Sequence, residues 1–105
     1  MTAIPIEYPL ILSSALFSLG VFGVITQKNA VRILIAIELI INAANINFVT
    51  FASYNPNADI SGWVFALFII AVAAGEAAIG LAIFINVFRN FGEINVKHLF
   101  TLREV

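Results

Sequence analysis

The chain reads as three apolar blocks, Tyr8 to Ile25, Ala30 to Ala52 and Trp63 to Phe88, separated by the polar stretches TQKN and SYNPNADISG. Roughly 20 residues of helix cross a hydrocarbon core about 30 Å thick, so each block can span a membrane. In lipid every backbone polar group needs an internal partner, which leaves helices or a closed barrel. No alternating strand pattern exists to close a barrel. The pattern predicts an all-α integral membrane domain over residues 1–105, with helices over about 8–26, 30–52 and 62–88 and a tail over 89–105. Lys28 and Asn29 mark a tight first turn, and Asn55, Pro56, Asn57 and Gly62 break the second link.

Charge gives the three spans a direction. Lys28 and Arg32 flank the first turn, Arg89, Lys97 and Arg103 follow the third block, and these are all five basic residues of the chain. Basic residues favour the cytoplasmic side, so the N-terminus and the 53–62 link are expected outside and the C-terminus in the cytoplasm. Tyr8, Tyr54 and Trp63 sit at the outer helix ends, where amphipathic rings favour the headgroup zone. Glu7, with no basic residue before the first block, is unlike the start of a cleaved signal peptide. That block is expected to remain as a span.

Composition narrows the function. Of 105 residues 62% are hydrophobic and only 10% charged, with a mean hydropathy of +1.06, which excludes a soluble monomer. The net charge of −1 is scattered and offers no surface for nucleic acid. With no cysteine and one histidine, His98, a solvated tail residue, the chain can build no disulfide, iron–sulfur cluster or Cys/His metal cage. Three short helices make a poor transporter alone, since pathways form between several packed helices or paired repeats. A subunit of a larger membrane assembly is expected.

The candidate chemistry lies in IELIINAANINF, residues 37–48, and AVAAGEAAIGLA, residues 71–82. At 1.5 Å per residue Glu38 is about 12 Å inside the cytoplasmic end of its block and Glu76 about 18 Å, too deep to snorkel. A charged side chain at that depth costs roughly 2.5 to 3.5 kcal/mol on insertion scales and normally faces a bundle interior or a wet cavity. Low dielectric favours the protonated form of a carboxyl, and a group that can accept and release a proton inside the bilayer is a candidate relay.

On a helix turning about 100° per residue, Asn42 and Asn45 fall about 40° and 20° to either side of Glu38, whereas Asn47 falls on the opposite face and needs another helix as partner. Asparagines also serve as interhelical hydrogen-bond glue, and small residues such as Gly75 and Gly80 near Glu76 allow close packing or leave room for water. Arg32 points about 120° from Glu38, so it forms no salt bridge within the helix. Lys28 and Arg32 are read as topology anchors, and Ser14 and Ser18 as bonded to helix carbonyls. The tail from Arg89 onward, with Phe91, Ile94, Leu99 and Phe100 among its charges, suits docking on a neighbouring subunit or the membrane surface.

The segments KNAVRILIAIELIINAANINFVTF and FIIAVAAGEAAIGLAIFINVFRN carry a family resemblance. Over about residues 10 to 90 the chain resembles subunit K, the 4L-type small membrane subunit, of the complex I group, which includes bacterial NADH–quinone oxidoreductases, chloroplast and cyanobacterial NDH complexes and archaeal F420H2 dehydrogenases. The resemblance implies a non-redox subunit of a proton-translocating oxidoreductase in a prokaryotic plasma or thylakoid-type membrane. Glu38 and Glu76 are implied as proton-relay carboxyls, with Asn42, Asn45, Gly75 and Gly80 in support and no catalytic chemistry in the chain itself. Glu38 would lie toward a neighbouring antiporter-like subunit and Glu76 in a buried carboxylate chain nearer the quinone end, and the partners implied are J-, A- and H-type subunits and an N-type antiporter-like subunit.

Flavin, iron–sulfur clusters and quinone or methanophenazine would belong to other subunits, and the donor, whether NADH, ferredoxin or F420H2, to peripheral ones. One departure is that many relatives carry two adjacent basic residues in the first loop, whereas this chain has Gln27 beside Lys28, with Arg32 one turn on. Two alternatives have other patterns. The C-type subunit of multi-subunit Na+/H+ antiporters generally lacks this pair of acids, and small multidrug transporters have four helices with the essential acid in the first.

Overall fold

The computed structural model describes residues 4–57 and 59–92. Lys97, His98, Arg103 and the docking positions Ile94, Leu99 and Phe100 lie outside these residues, whereas Phe91, expected in the tail, is the last residue of the third helix. Three helices form: α1 (Glu7–Thr26), α2 (Ala30–Tyr54) and α3 (Ser61–Phe91). All three are long and apolar enough to cross a membrane, and the protein is a multi-pass, all-α membrane protein.

Local signals set the helix ends. The Asn29 side chain caps α2, its Oδ1 accepting from the N–H of Val31 at 2.9 Å and of Arg32 at 3.3 Å. That cap fixes the tight turn after Thr26, because it satisfies two of the donors a helix start leaves unpaired. α3 runs three residues past the apolar block, through Arg89, and stops where Gly92 takes φ 75° and donates to the Phe88 carbonyl at 2.8 Å. A left-handed glycine, rather than the first charge, ends the helix.

α2 lies in the middle and packs along both neighbours. The residues that bury are small: Ser13 and Gly20 on α1, Ala36, Ala43 and Asn45 on α2, Ala66 and Ala73 on α3. The large apolar side chains, Phe17, Phe22, Leu67, Phe68 and Ile79 among them, point outward. In lipid no hydrophobic force separates inside from outside, so helices associate through close backbone approach and a few hydrogen bonds. At Gly20 an added Cβ would lie 2.5 Å from Ile40 Cγ1 and 2.8 Å from the Ala36 carbonyl oxygen, so only glycine permits this α1–α2 crossing. Ser13 Oγ donates to Asn47 Oδ1 at 2.6 Å in the same seam. Across the other seam Phe48 and Phe65 meet edge to face, 5.0 Å between centroids.

Candidate functional site

The α2–α3 seam fixes where the two glutamates stand. Gly62 lies against Ala52 near one end of the seam and Gly80 against Leu34 near the other. Between these contacts the chain advances eighteen residues on α3 and retreats eighteen on α2, so the register is even. Glu38, four residues after Leu34, therefore stands level with Glu76, four residues before Gly80. Glu76 is also the midpoint of α3, fifteen residues from Ser61 and fifteen from Phe91, with about 22 Å of helix on either side.

The two acids flank this seam on opposite sides. On α2, Glu38 is about 40° around the helix from Leu34, toward Asn42, whereas Ile41 is about 20° the other way. Glu76 lines a groove of about 140 Å³ together with Ile41, Phe65, Phe68 and Val72. Asn42 lines a different groove, of about 530 Å³, with Pro9 of α1 and Ile70 of α3. Glu38 is half-buried, and Glu76 is exposed on the surface of α3. An exposed carboxyl at the centre of a spanning helix has no favourable lipid contact, so its face requires protein or water beside it.

The asparagines part company. Asn45 is buried, 7% exposed, and its Nδ2 donates to the Ala66 carbonyl at 3.3 Å, tying α2 to α3. Asn42 is exposed at the midpoint of α2, twelve residues from Ala30 and twelve from Tyr54. Asn47, on the face opposite Glu38, finds Ser13 of α1. Ser13 escaped the sequence reading, although its spacing of seven from Gly20 puts both on one face of α1. Ser14 and Ser18 donate to the carbonyls of Leu10 and Ser14, each at 2.8 Å. A Cβ built on Gly80 would lie 3.4 and 3.5 Å from the Leu34 methyls, ordinary van der Waals contact, while nothing lies within 4 Å of one built on Gly75.

At the other membrane face the first turn is tied by side chains. Arg32 Nη1 donates to Gln27 Oε1 at 3.4 Å, which brings the Arg32 guanidinium beside Gln27, next to Lys28. At the opposite end the Tyr54 hydroxyl donates to the Ile4 carbonyl, holding the segment before α1 against the end of α2.

Comparison with known proteins agrees on one family. Residues 8–104 match the family described as NADH-ubiquinone/plastoquinone oxidoreductase chain 4L. The chain is 49% identical over 102 residues to the NADH-quinone oxidoreductase subunit K of Chlorobaculum parvum, covering 97% of this chain and 95% of that one. It is 48% identical over 104 residues to the same subunit of Chlorobaculum tepidum, covering 99% and 95%. To the chloroplastic NAD(P)H-quinone oxidoreductase subunit 4L of Trachelium caeruleum it is 52% identical over 92 residues, covering 88% and 92%.

Proposed function

The chain belongs to the NADH-ubiquinone/plastoquinone oxidoreductase chain 4L family, and we propose that in the membrane arm of such a complex it passes protons between neighbouring subunits through Glu38 and Glu76. Carrying this reading is the placement of the two acids, level in the membrane and on opposite flanks of the α2–α3 seam. Each flank then presents one carboxyl to one neighbour. A carboxyl on one side receives a proton, its counterpart releases one, and both remain at mid-membrane depth, where a fixed charge is costly.

Asn42, one turn from Glu38, orients that acid or holds water beside it. Asn45 fixes α3 at the depth where Glu76 belongs, and Gly75 and Gly80 leave space around Glu76. Lys28 and Arg32 anchor the first turn in the cytoplasm, with Arg32 supplying beside Gln27 the second positive charge of the loop. The Glu38 side faces an antiporter-like subunit and the Glu76 side the quinone end, with J-, A- and H-type subunits and an N-type subunit among the partners. Flavin, iron–sulfur clusters and quinone belong to other subunits, and with no cysteine this chain ligates no cluster through thiolates. The membrane is a prokaryotic plasma membrane or a thylakoid.

Pumping by vesicles carrying the complex with Glu76→Gln tests the reading. Glutamine keeps the shape and hydrogen bonding but cannot titrate. An assembled complex that loses pumping supports a relay role, and an assembled complex that pumps at the wild-type rate overturns it.

A further inference from the structure

The α1–α2 crossing leaves a groove of about 390 Å³, walled by Ser14, Phe17 and Ser18 of α1 and by Ala43, Ala44 and Asn47 of α2. Asn47 Oδ1 accepts the Ser13 proton at 2.6 Å, and Nδ2 of the same amide carries two hydrogens that meet no acceptor among the described residues. The Ser14 and Ser18 hydroxyls have spent their protons on the carbonyls of Leu10 and Ser14 and can only accept. One helix thus brings donors to the groove and the other brings acceptors. Turning the amide over, with Ser13 donating to the Leu10 carbonyl at 3.0 Å, exchanges which end of Asn47 is free and still leaves one end free.

Depth excludes a lipid headgroup as the partner. Ser13 stands six residues inside Glu7 and Asn47 seven residues inside Tyr54, about 9 to 10 Å from that end of the helices, and Ser18 is about 16 Å in. An acyl chain has no polar atom for an amide, and an amide left unpaired in hydrocarbon is costly. Ser14 and Ser18, one turn apart and exposed, are also small enough for another backbone to come close.

Position around α2 says which neighbour comes close. Ala44 is about 80° from Leu34, on the same side as Ile41, and Ile41 walls the groove that holds Glu76. Between the two grooves α2 exposes a strip carrying Ile37, Phe48 and Phe51. Both grooves open on the Glu76 flank, so a subunit that covers Glu76 lies across both.

We propose that the neighbour on the Glu76 flank seats a membrane-spanning helix in the α1–α2 groove and sets a hydroxyl or carboxamide side chain against Asn47 and the two serines. Such a group both accepts and donates, so it serves Asn47 Nδ2 and a serine oxygen together. It is uncharged, because no charged side chain lines the groove to pair with an ion. The docking rests on the membrane-arm placement given above, but not on either glutamate carrying protons.

A map of the intact complex decides the matter. The expected result is a helix of another subunit in the groove, with a side-chain oxygen or nitrogen within about 3 Å of the Asn47 amide, the ordinary hydrogen-bond distance. An acyl chain, a second copy of this chain, water alone, or a helix that brings only apolar side chains to Asn47 each overturns the docking. Ser18→Phe fills the groove from an exposed position whose hydroxyl serves its own helix. The isolated variant should melt in detergent as the wild type does, while the yield of assembled complex falls severalfold; a wild-type yield overturns the docking. If the variant chain itself melts early, the wild-type map decides alone. A chain that purifies without partners fails the membrane-arm reading, whereas an assembled complex with lipid in the groove fails this docking alone.

Discussion

Glu38 of α2 and Glu76 of α3 stand level in the membrane on opposite flanks of one helix seam. Two acids so placed act in series if each serves one neighbour, and series steps have a recognisable signature. Either Gln variant alone should cut pumping severalfold, and Glu38→Gln with Glu76→Gln should pump no worse than the poorer single variant, because a route broken once gains nothing from a second break. Independent routes would instead multiply the two losses. Pumping rates of the four assembled complexes in vesicles separate the cases.

The glycines predict a contrast between packing within the chain and packing against neighbours. An alanine Cβ at Gly20 meets Ile40 Cγ1 at 2.5 Å and the Ala36 carbonyl at 2.8 Å, and the carbonyl cannot move without disturbing α2. Gly20→Ala should therefore destabilise the α1–α2 pair by about 1 to 3 kcal/mol, the usual cost of overpacking, and lower the amount of assembled complex. Gly75→Ala meets nothing within 4 Å in the chain and should leave the isolated subunit's thermal stability in detergent unchanged. Any loss of assembly in Gly75→Ala then reports a neighbouring subunit pressed against that face of α3. Melting of the isolated chain beside the yield of intact complex gives both readings.

Helix number and face angles were legible in the sequence; which angle each neighbour occupies was not. Three apolar blocks and two polar links give three helices because bilayer thickness fixes the length and lipid leaves the backbone no other structure. Asn47, placed by periodicity opposite Glu38, does meet a different helix, through Ser13. Asn45 shares a stripe with Glu38 on the helical wheel, yet it bonds the Ala66 carbonyl. The wheel gives angles within a helix, and α3 approaches along a line close enough to Asn45 to claim its amide. α3 also ends later than hydropathy predicts, for a related reason. Hydropathy stops at Arg89, but hydrogen bonding continues until Gly92 leaves the right-handed region.

The link before α3 carries a titration outside the membrane. Asp59 Oδ1 accepts from the Ser61 hydroxyl and from the Ser61 N–H, the latter at 3.0 Å. These bonds, the hydroxyl first and the backbone second, hold the Asp59 carboxyl below its ordinary value of 3.8. A carboxyl lowered on folding stabilises the fold at pH above its unfolded value, and that contribution disappears as pH falls through the folded value. The Ser61 amide resonance, followed by NMR in micelles, should thus titrate with a midpoint below 3.8, and Asp59→Asn should abolish the titration while keeping an acceptor for Ser61. A midpoint at or above the ordinary value would mean that the two bonds do not hold in the folded chain.

The orientation proposed for the spans rests on where the basic residues fall, and the absence of cysteine makes it directly measurable. Thr26→Cys sits at the end of α1 beside Lys28, and Asn57→Cys lies in the link between α2 and α3; both positions are exposed. In the proposed orientation Lys28 and Arg32 keep the first turn on the cytoplasmic side, so a membrane-impermeant thiol reagent added outside intact cells should label Asn57→Cys and reach Thr26→Cys only after permeabilisation. Labelling in the reverse order inverts the orientation and moves Lys28 and Arg32 to the outer face. Labelling of both from one side would mean that α2 does not cross, and Glu38 would then lose the mid-membrane position on which the relay depends.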